Sequence, residues 1–217
     1  MRYRTIVALV VALAGVACGG GSSPSPTPAP TSLTVYASTD NRVTTATSDP
    51  KASDTAVQGG MIAVGWQSNE YGTFGAGTAF RINPPSQIAG RTITKATFRL
   101  TVSDPPREVP ATPQLRLSAF AAEWSPSTIT WNIWTALACH ATGEVRVAAQ
   151  SSPGPLDFDV TTIVQGWASG TVSNYGLRLM VDQPAPGMMG TLGITWFYSL
   201  VVSNVQNERP QLLIEYQ

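Results

Sequence analysis

The sequence predicts an all-β fold, a two-sheet antiparallel β-sandwich of the jelly-roll type with one short helical turn. Three observations carry that prediction. Apolar and polar residues alternate in short runs, Gly, Pro, Asn and Asp punctuate those runs, and no long stretch repeats its apolar residues at helical spacing. About ten such runs on one chain argue for two packed layers.

The elements follow in order along the chain. Leu33 to Ala37, Met61 to Trp66 and Thr78 to Ile82 read as the first three strands, with Thr39 to Gly60 between them polar and irregular. Pro84-Pro85 to Gly90 reads as a crossover loop. Ile93 to Val102 is the clearest strand, with Ala96, Phe98, Leu100 and Val102 on one face and Thr97, Arg99 and Thr101 on the other. It stops at Asp104-Pro105-Pro106. Leu115 to Ala121, Glu144 to Ala148 and Leu156 to Val160 come next, and Asp157 and Asp159 face away from Leu156, Phe158 and Val160. The helical turn runs from Thr162 to Ala168, capped by Asp159 or Thr161 and ended by Gly170. Gly176 to Val181, Ile194 to Ser199 and Gln211 to Tyr216 complete the strands.

Ahead of this domain lies a segment with a different grammar. Arg2 and Arg4 precede an apolar run from Thr5 to Val16, and Gly15-Val16-Ala17 places small residues before Cys18. That order is a secretory signal whose apolar run is short for a membrane-spanning helix. Its end resembles a bacterial lipoprotein lipobox, which implies acylation of Cys18 and a membrane partner through that lipid anchor. Cleavage after Ala17 without acylation is the alternative, and the chain would then be secreted. Residues 19–32 form a linker, Gly- and Ser-rich and then Pro-rich, which extends about 3 Å per residue where proline stiffens it. The domain spans residues 33–217. Either reading of the leader places it outside the cytoplasm, at the cell surface or in the periplasm.

The net charge is zero and only 12% of residues are charged, with no run of Lys or Arg. No nucleic-acid partner is expected from such a balance. With Cys18 acylated, Cys139 has no partner for an intramolecular disulfide. Cys139-His140 is the one Cys-His pair, but neighbours on extended chain point to opposite faces, so a buried thiol is expected rather than a nucleophile. There is no Ser-His-Asp arrangement, zinc motif or glycine-rich phosphate loop, and the chain is not expected to be an enzyme.

Several motifs stand in a recognisable order. Ile93-Thr94-Lys95-Ala96-Thr97-Phe98-Arg99-Leu100 precedes Trp124-Ser125-Pro126-Ser127-Thr128-Ile129-Thr130-Trp131-Asn132. Asp157-Phe158-Asp159-Val160-Thr161 follows, with Val164-Gln165, Trp167, Gly170 and Asn174-Tyr175-Gly176-Leu177. Phe197-Tyr198-Ser199, Ser203-Asn204, Arg209-Pro210-Gln211-Leu212 and Tyr216 close the series. Together they resemble the DNRLRE (disaggregatase-related) domain, classed as carbohydrate-binding module family 96, from about Val35 to Tyr216. The resemblance implies a β-sandwich of secreted bacterial and archaeal proteins, some of which bind acidic polysaccharide such as alginate. Pro126, Ile133-Trp134 and Leu200-Val201-Val202 depart from the family pattern.

Sugar sites in β-sandwiches stack aromatic rings on pyranose faces and ring them with polar groups. Trp124, Trp131 and Trp167 match the family motifs and are expected in the core. Trp66, Tyr71 and Trp134 lie in polar or turn-rich surroundings and are the expected ligand-binding aromatics. Arg99 and Arg116, with Arg81 and Arg178, sit on strands and are expected to line one sheet surface for carboxylates. Asp40 and Asn41, or Asp157 and Asp159, offer hard oxygens for a structural Ca²⁺, although no dense acidic loop accompanies them; no other cofactor is implied. The expected function is that of a non-catalytic, monomeric carbohydrate-binding module tethered to a bacterial membrane and holding a polysaccharide, of acidic type by the resemblance. A structural or adhesive surface protein that binds protein partners is the alternative. A polysaccharide lyase or hydrolase drawing on Glu70, Glu123 or Asp182 is a third class.

Overall fold

The computed structural model describes residues 29–46, 61–69, 72–104, 114–182, 193–200 and 205–217. Among them the chain forms eleven strands and two short α-helices, an all-β sandwich as expected. The first strands are β1 (Thr31–Tyr36), β2 (Thr39–Ala46), β3 (Ile62–Asn69), β4 (Gly72–Arg81) and β5 (Ile93–Asp104). Then come β6 (Gln114–Ala119), helix α1 (Trp131–Ala136), β7 (Val145–Ala148) and β8 (Gly154–Asp159). Helix α2 (Thr161–Ser169), β9 (Leu177–Val181), β10 (Ile194–Phe197) and β11 (Gln211–Tyr216) end the fold. Strand β1 starts at Thr31, so the ordered domain takes in the last two residues assigned to the linker.

Strand pairing is antiparallel and continuous along the path β1-β11-β5-β10-β3-β4-β9-β6-β7, with β8 on β5 and β2 on β4. Two long strands organise it. One edge of β5 pairs with β8, while the other pairs first with β11 and then, near Val102 and Asp104, with β10. One edge of β4 pairs with β2 along its length, and the other with β3 and then β9. Strands β10 and β3 thereby join the two layers into one hydrogen-bonded network, where the sequence suggested two separate sheets.

The main core lies between the layers. Phe98 and Leu100 of β5 and Leu156 and Phe158 of β8 meet Phe80, Leu115, Leu117, Leu177 and Leu179 of β4, β6 and β9. Phe80 and Phe98 share no ladder and touch edge to face, with centroids 5.1 Å apart. Each such buried ring contributes about 1.5–3 kcal/mol of transfer free energy.

Helix α2 closes one end of this core with Ile163, Val164 and Ala168. Asp159 starts it, accepting hydrogen bonds from the Thr161 N–H at 3.0 Å and the Thr161 hydroxyl at 2.6 Å. Gly170 stops it in the left-handed conformation at φ 73°. Gln165 ties the helix to β5, accepting from the Ile93 N–H at 2.8 Å and donating to the Arg91 carbonyl.

Two elements run against the sequence reading. Thr39–Ala46 was expected to be irregular, yet it pairs residue for residue with β4, from Thr39 opposite Arg81 to Ala46 opposite Phe74. A polar composition yields to a full ladder when a partner edge is open. Trp131–Ala136 is a second helix, built from residues of modest helix propensity and capped by Thr130, whose hydroxyl accepts from the Ile133 N–H.

Because Asp159 accepts both Thr161 donors, its carboxyl is held below the ordinary 3.8. A lowered carboxyl pKa stabilises the fold above that value, and the contribution is lost as pH falls through the folded pKa. Asp159→Ala is expected to cost about 1 kcal/mol in urea unfolding at neutral pH. The difference from the parent should shrink as the solution is acidified below 4; an equal gap at both pH values would remove the capping role.

Candidate functional site

On the face of β4 turned away from the main core stand Gly75, Gly77 and Ala79, a stripe almost without side chains. Two indoles lie on it. A Cβ at Gly75 would fall 2.6 Å from the Trp66 ring, and one at Gly77 would overlap the Trp134 ring. Residues 120–140 spread over this face and bring Phe120, Trp124, Ile129 and Trp134 against Val43 and Ala79 to form a second, smaller core.

The indoles form a stack. Trp131 meets Trp66 edge-on at 5.6 Å and 85°, and lies tilted over Trp134 at 5.0 Å and 36°. Trp66 donates from Nε1 to the Val181 carbonyl at 3.3 Å. The Arg178 guanidinium sits 5.6 Å from the Trp134 ring centroid and donates to the Leu137 carbonyl at 3.2 Å. Nearby, Arg81 lies 4.9 Å from the Trp124 ring centroid and donates to the Trp124 carbonyl, and Trp124 Nε1 donates to the Tyr175 carbonyl at 2.6 Å. Helix α1 is thus pinned from below by rings and guanidinium groups, while Asn132, Ile133, Thr135 and Ala136 face solvent.

The structure reverses the expected roles of Trp66, Trp134 and Trp131, while Trp124 is buried as expected. Trp66 is 8% exposed and Trp134 fully buried, so neither offers a ring face to a ligand. Trp131, expected in the core, is half-buried on top of them. The glycine stripe is the signal that was legible and unread: alternate glycines on a strand leave room for large rings from elsewhere. Tyr71 lies outside the described residues. In β10, Phe197 faces the main core, while Trp196 and Tyr198 are half-buried.

The arginines do not line one surface. Arg99 is on β5, where it forms a two-pronged pair with Asp157, both bonds at 2.6 Å. Arg116 is on β6 in the other layer, 3.1 Å from Asp182 and 3.6 Å from Glu144. Arg146 meets the same two carboxylates at 2.9 and 3.0 Å. Two guanidinium groups and two carboxylates therefore neutralise one another, and Arg81 and Arg178 are committed to indole rings and carbonyls.

The carboxylates named for a structural Ca²⁺ have partners within the protein. Among the described residues no three His, Cys, Asp or Glu side chains stand close enough to hold a metal. Asp40 is buried and accepts the Leu200 N–H at 2.8 Å, and burial lifts its pKa from 3.8 to about 6. Asn41 follows it on the strand and so belongs to the opposite face; its side chain lies outside the described residues. Asp157 and Asp159 serve Arg99 and the start of α2.

Cys139 is a free, half-buried thiol packed on the second core, and desolvation pushes its pKa above the ordinary value. That keeps it from the reactive thiolate. His140 donates its backbone N–H to the Ala119 carbonyl at 2.9 Å. No helix among the described residues is long and apolar enough to cross a membrane. No protein-family model matches the chain, and no curated protein matches it.

Gly77→Ala drives a methyl into the Trp134 ring and is expected to destabilise the protein by about 1–3 kcal/mol. Tryptophan emission should shift to the red as the stack loosens; a parent-like melt and spectrum would mean that the ring can move aside freely.

Burial raises the Asp40 pKa above its unfolded value, so the folded state holds that proton more tightly. The resulting stability is present below 3.8 and is lost as pH rises through about 6. Relative to Asp40→Asn, the parent should lose about 2 kcal/mol between pH 4 and pH 7. Parallel stability curves for the two proteins would contradict this.

Proposed function

We propose that this chain is a non-catalytic module that binds polysaccharide outside the cytoplasm, carried on a lipid anchor at Cys18. The observation that supports it most is Trp131, a half-buried indole stacked on buried Trp134 and flanked by the solvent-facing residues of α1. A ring held this way meets a sugar face without losing rotamer freedom on binding. Neighbouring Asn132 carries an amide that both donates and accepts hydrogen bonds, as sugar hydroxyls require, while Thr135, whose hydroxyl donates to the Trp131 carbonyl at 2.9 Å, keeps lone pairs that accept. The four ordered motifs that resemble the DNRLRE domain point the same way, as do the export leader and the Pro-rich linker.

The disposition of charge favours binding over chemistry. Asp182 and Glu144 are bound to Arg116 and Arg146, and Asp157 to Arg99. Two carboxylates flanking an open cleft are what a glycosidase needs. These carboxylates instead neutralise cations beside them.

Incubation of the full chain with immobilised neutral and acidic polysaccharides, with and without EDTA, tests the proposal. Saturable retention indifferent to EDTA, with no new reducing or unsaturated ends in the polymer, is the expected result. Release of such ends would make the protein an enzyme, and retention on no polymer would leave the adhesive, protein-binding alternative.

A further inference from the structure

We infer that the polymer held at Trp131 is a neutral one, built of hexopyranose rings without carboxylates. The inference rests on the reading of Trp131 as the ring that meets the ligand, and it departs from the acidic class that the family resemblance implies.

Charge around the stack is the ground for it. Residues 120–140, which build the surface around Trp131, contain no Lys or Arg and one carboxylate, Glu123, which is exposed. The cations beneath are turned inward. Arg178 faces the Trp134 ring and the Leu137 carbonyl, and Arg81 faces the Trp124 ring and its carbonyl. Farther along the same layer, Arg116 and Arg146 are matched by Glu144 and Asp182.

Within residues 120–140 a uronate finds no guanidinium to pair with. Its carboxylate also approaches an indole whose face is electron-rich and repels anions. Stripping water from an unpaired carboxylate costs several kcal/mol, so the acidic polymer loses more than stacking returns. A neutral pyranose meets no such obstacle. Its C–H face is attracted to the indole. Its hydroxyls find Asn132 and, one turn along from Trp131, Thr135.

The test measures retention of the full-length chain on β-glucan and mannan, and on alginate and polygalacturonate, at low salt and at about 0.5 M NaCl. The expected result is saturable binding to a neutral polymer that changes less than about twofold with salt, with none to the acidic pair. Trp131→Ala should weaken that binding by roughly tenfold or more. Trp131→Phe, which keeps a smaller ring on the stack, should weaken it severalfold at an unchanged melting temperature. Salt-sensitive binding to alginate or polygalacturonate alone overturns the neutral inference and leaves the polysaccharide reading standing. Unweakened neutral binding by whichever Trp131 variant melts like the parent overturns the site. Binding to none of the four polymers overturns the reading on which the inference rests.

Discussion

Trp134 lies fully buried against Gly77, on the face of β4 that points away from the main core. Much of the outer surface depends on that contact. A strand with side chains at those positions would hold residues 120–140 off the sheet, and Val43, Ala79 and Phe120 would lose their cover. With glycine there, a large ring settles within contact of the backbone, Trp66 does the same over Gly75, and Trp131 is lifted to the surface between them. The sandwich thus carries a second apolar layer outside its own sheet, bought with the conformational freedom of two glycines rather than with a longer chain.

Cations are arranged to suit this layer. Arg178 and Arg81 sit beneath indole rings, where ring faces and backbone carbonyls take the place of carboxylates. Arg99, Arg116 and Arg146 close with Asp157, Glu144 and Asp182 on the surface. Exposed pairs of this kind contribute little to stability, about 0–1 kcal/mol each. Their effect is to leave both layers electrically quiet, in keeping with a net charge of zero. Asp40 is the exception, a buried carboxyl that accepts the Leu200 N–H, and it couples the packing of β2 to pH.

Much of the fold was legible along the chain. Ten of the eleven strands fall on runs whose alternation announces them, and β5 shows the reason, since Phe98, Leu100 and Val102 point into the core while Thr97, Arg99 and Thr101 do not. The helix from Thr161 was legible through the spacing of Ile163, Val164 and Trp167 and its Gly170 stop, although its N-cap is Val160 rather than Asp159 or Thr161. Strand β2 was not, because Val43 is the one large apolar residue among its eight and the pairing that makes it a strand comes from β4. Helix α1 escaped for a related reason: its six residues bury Trp134 in a pocket that exists only once the glycine stripe is in place.

The candidate site was the least legible part. Trp66 and Trp134 look exposed among polar neighbours, and Trp131 looks like core because it sits in a motif; burial is decided by what lies across from each ring, and that partner is a distant strand. The arginines fail for the same reason, as facing away from an apolar strand face does not say which carboxylate stands beside them. The sequence by itself determined the all-β class, the strand faces and the Gly170 stop of α2, because those depend on neighbours within a few residues. Tertiary structure alone decided which tryptophan stays at the surface, which cations are neutralised and whether Asp40 is ionised, because each depends on contacts between residues far apart in the chain.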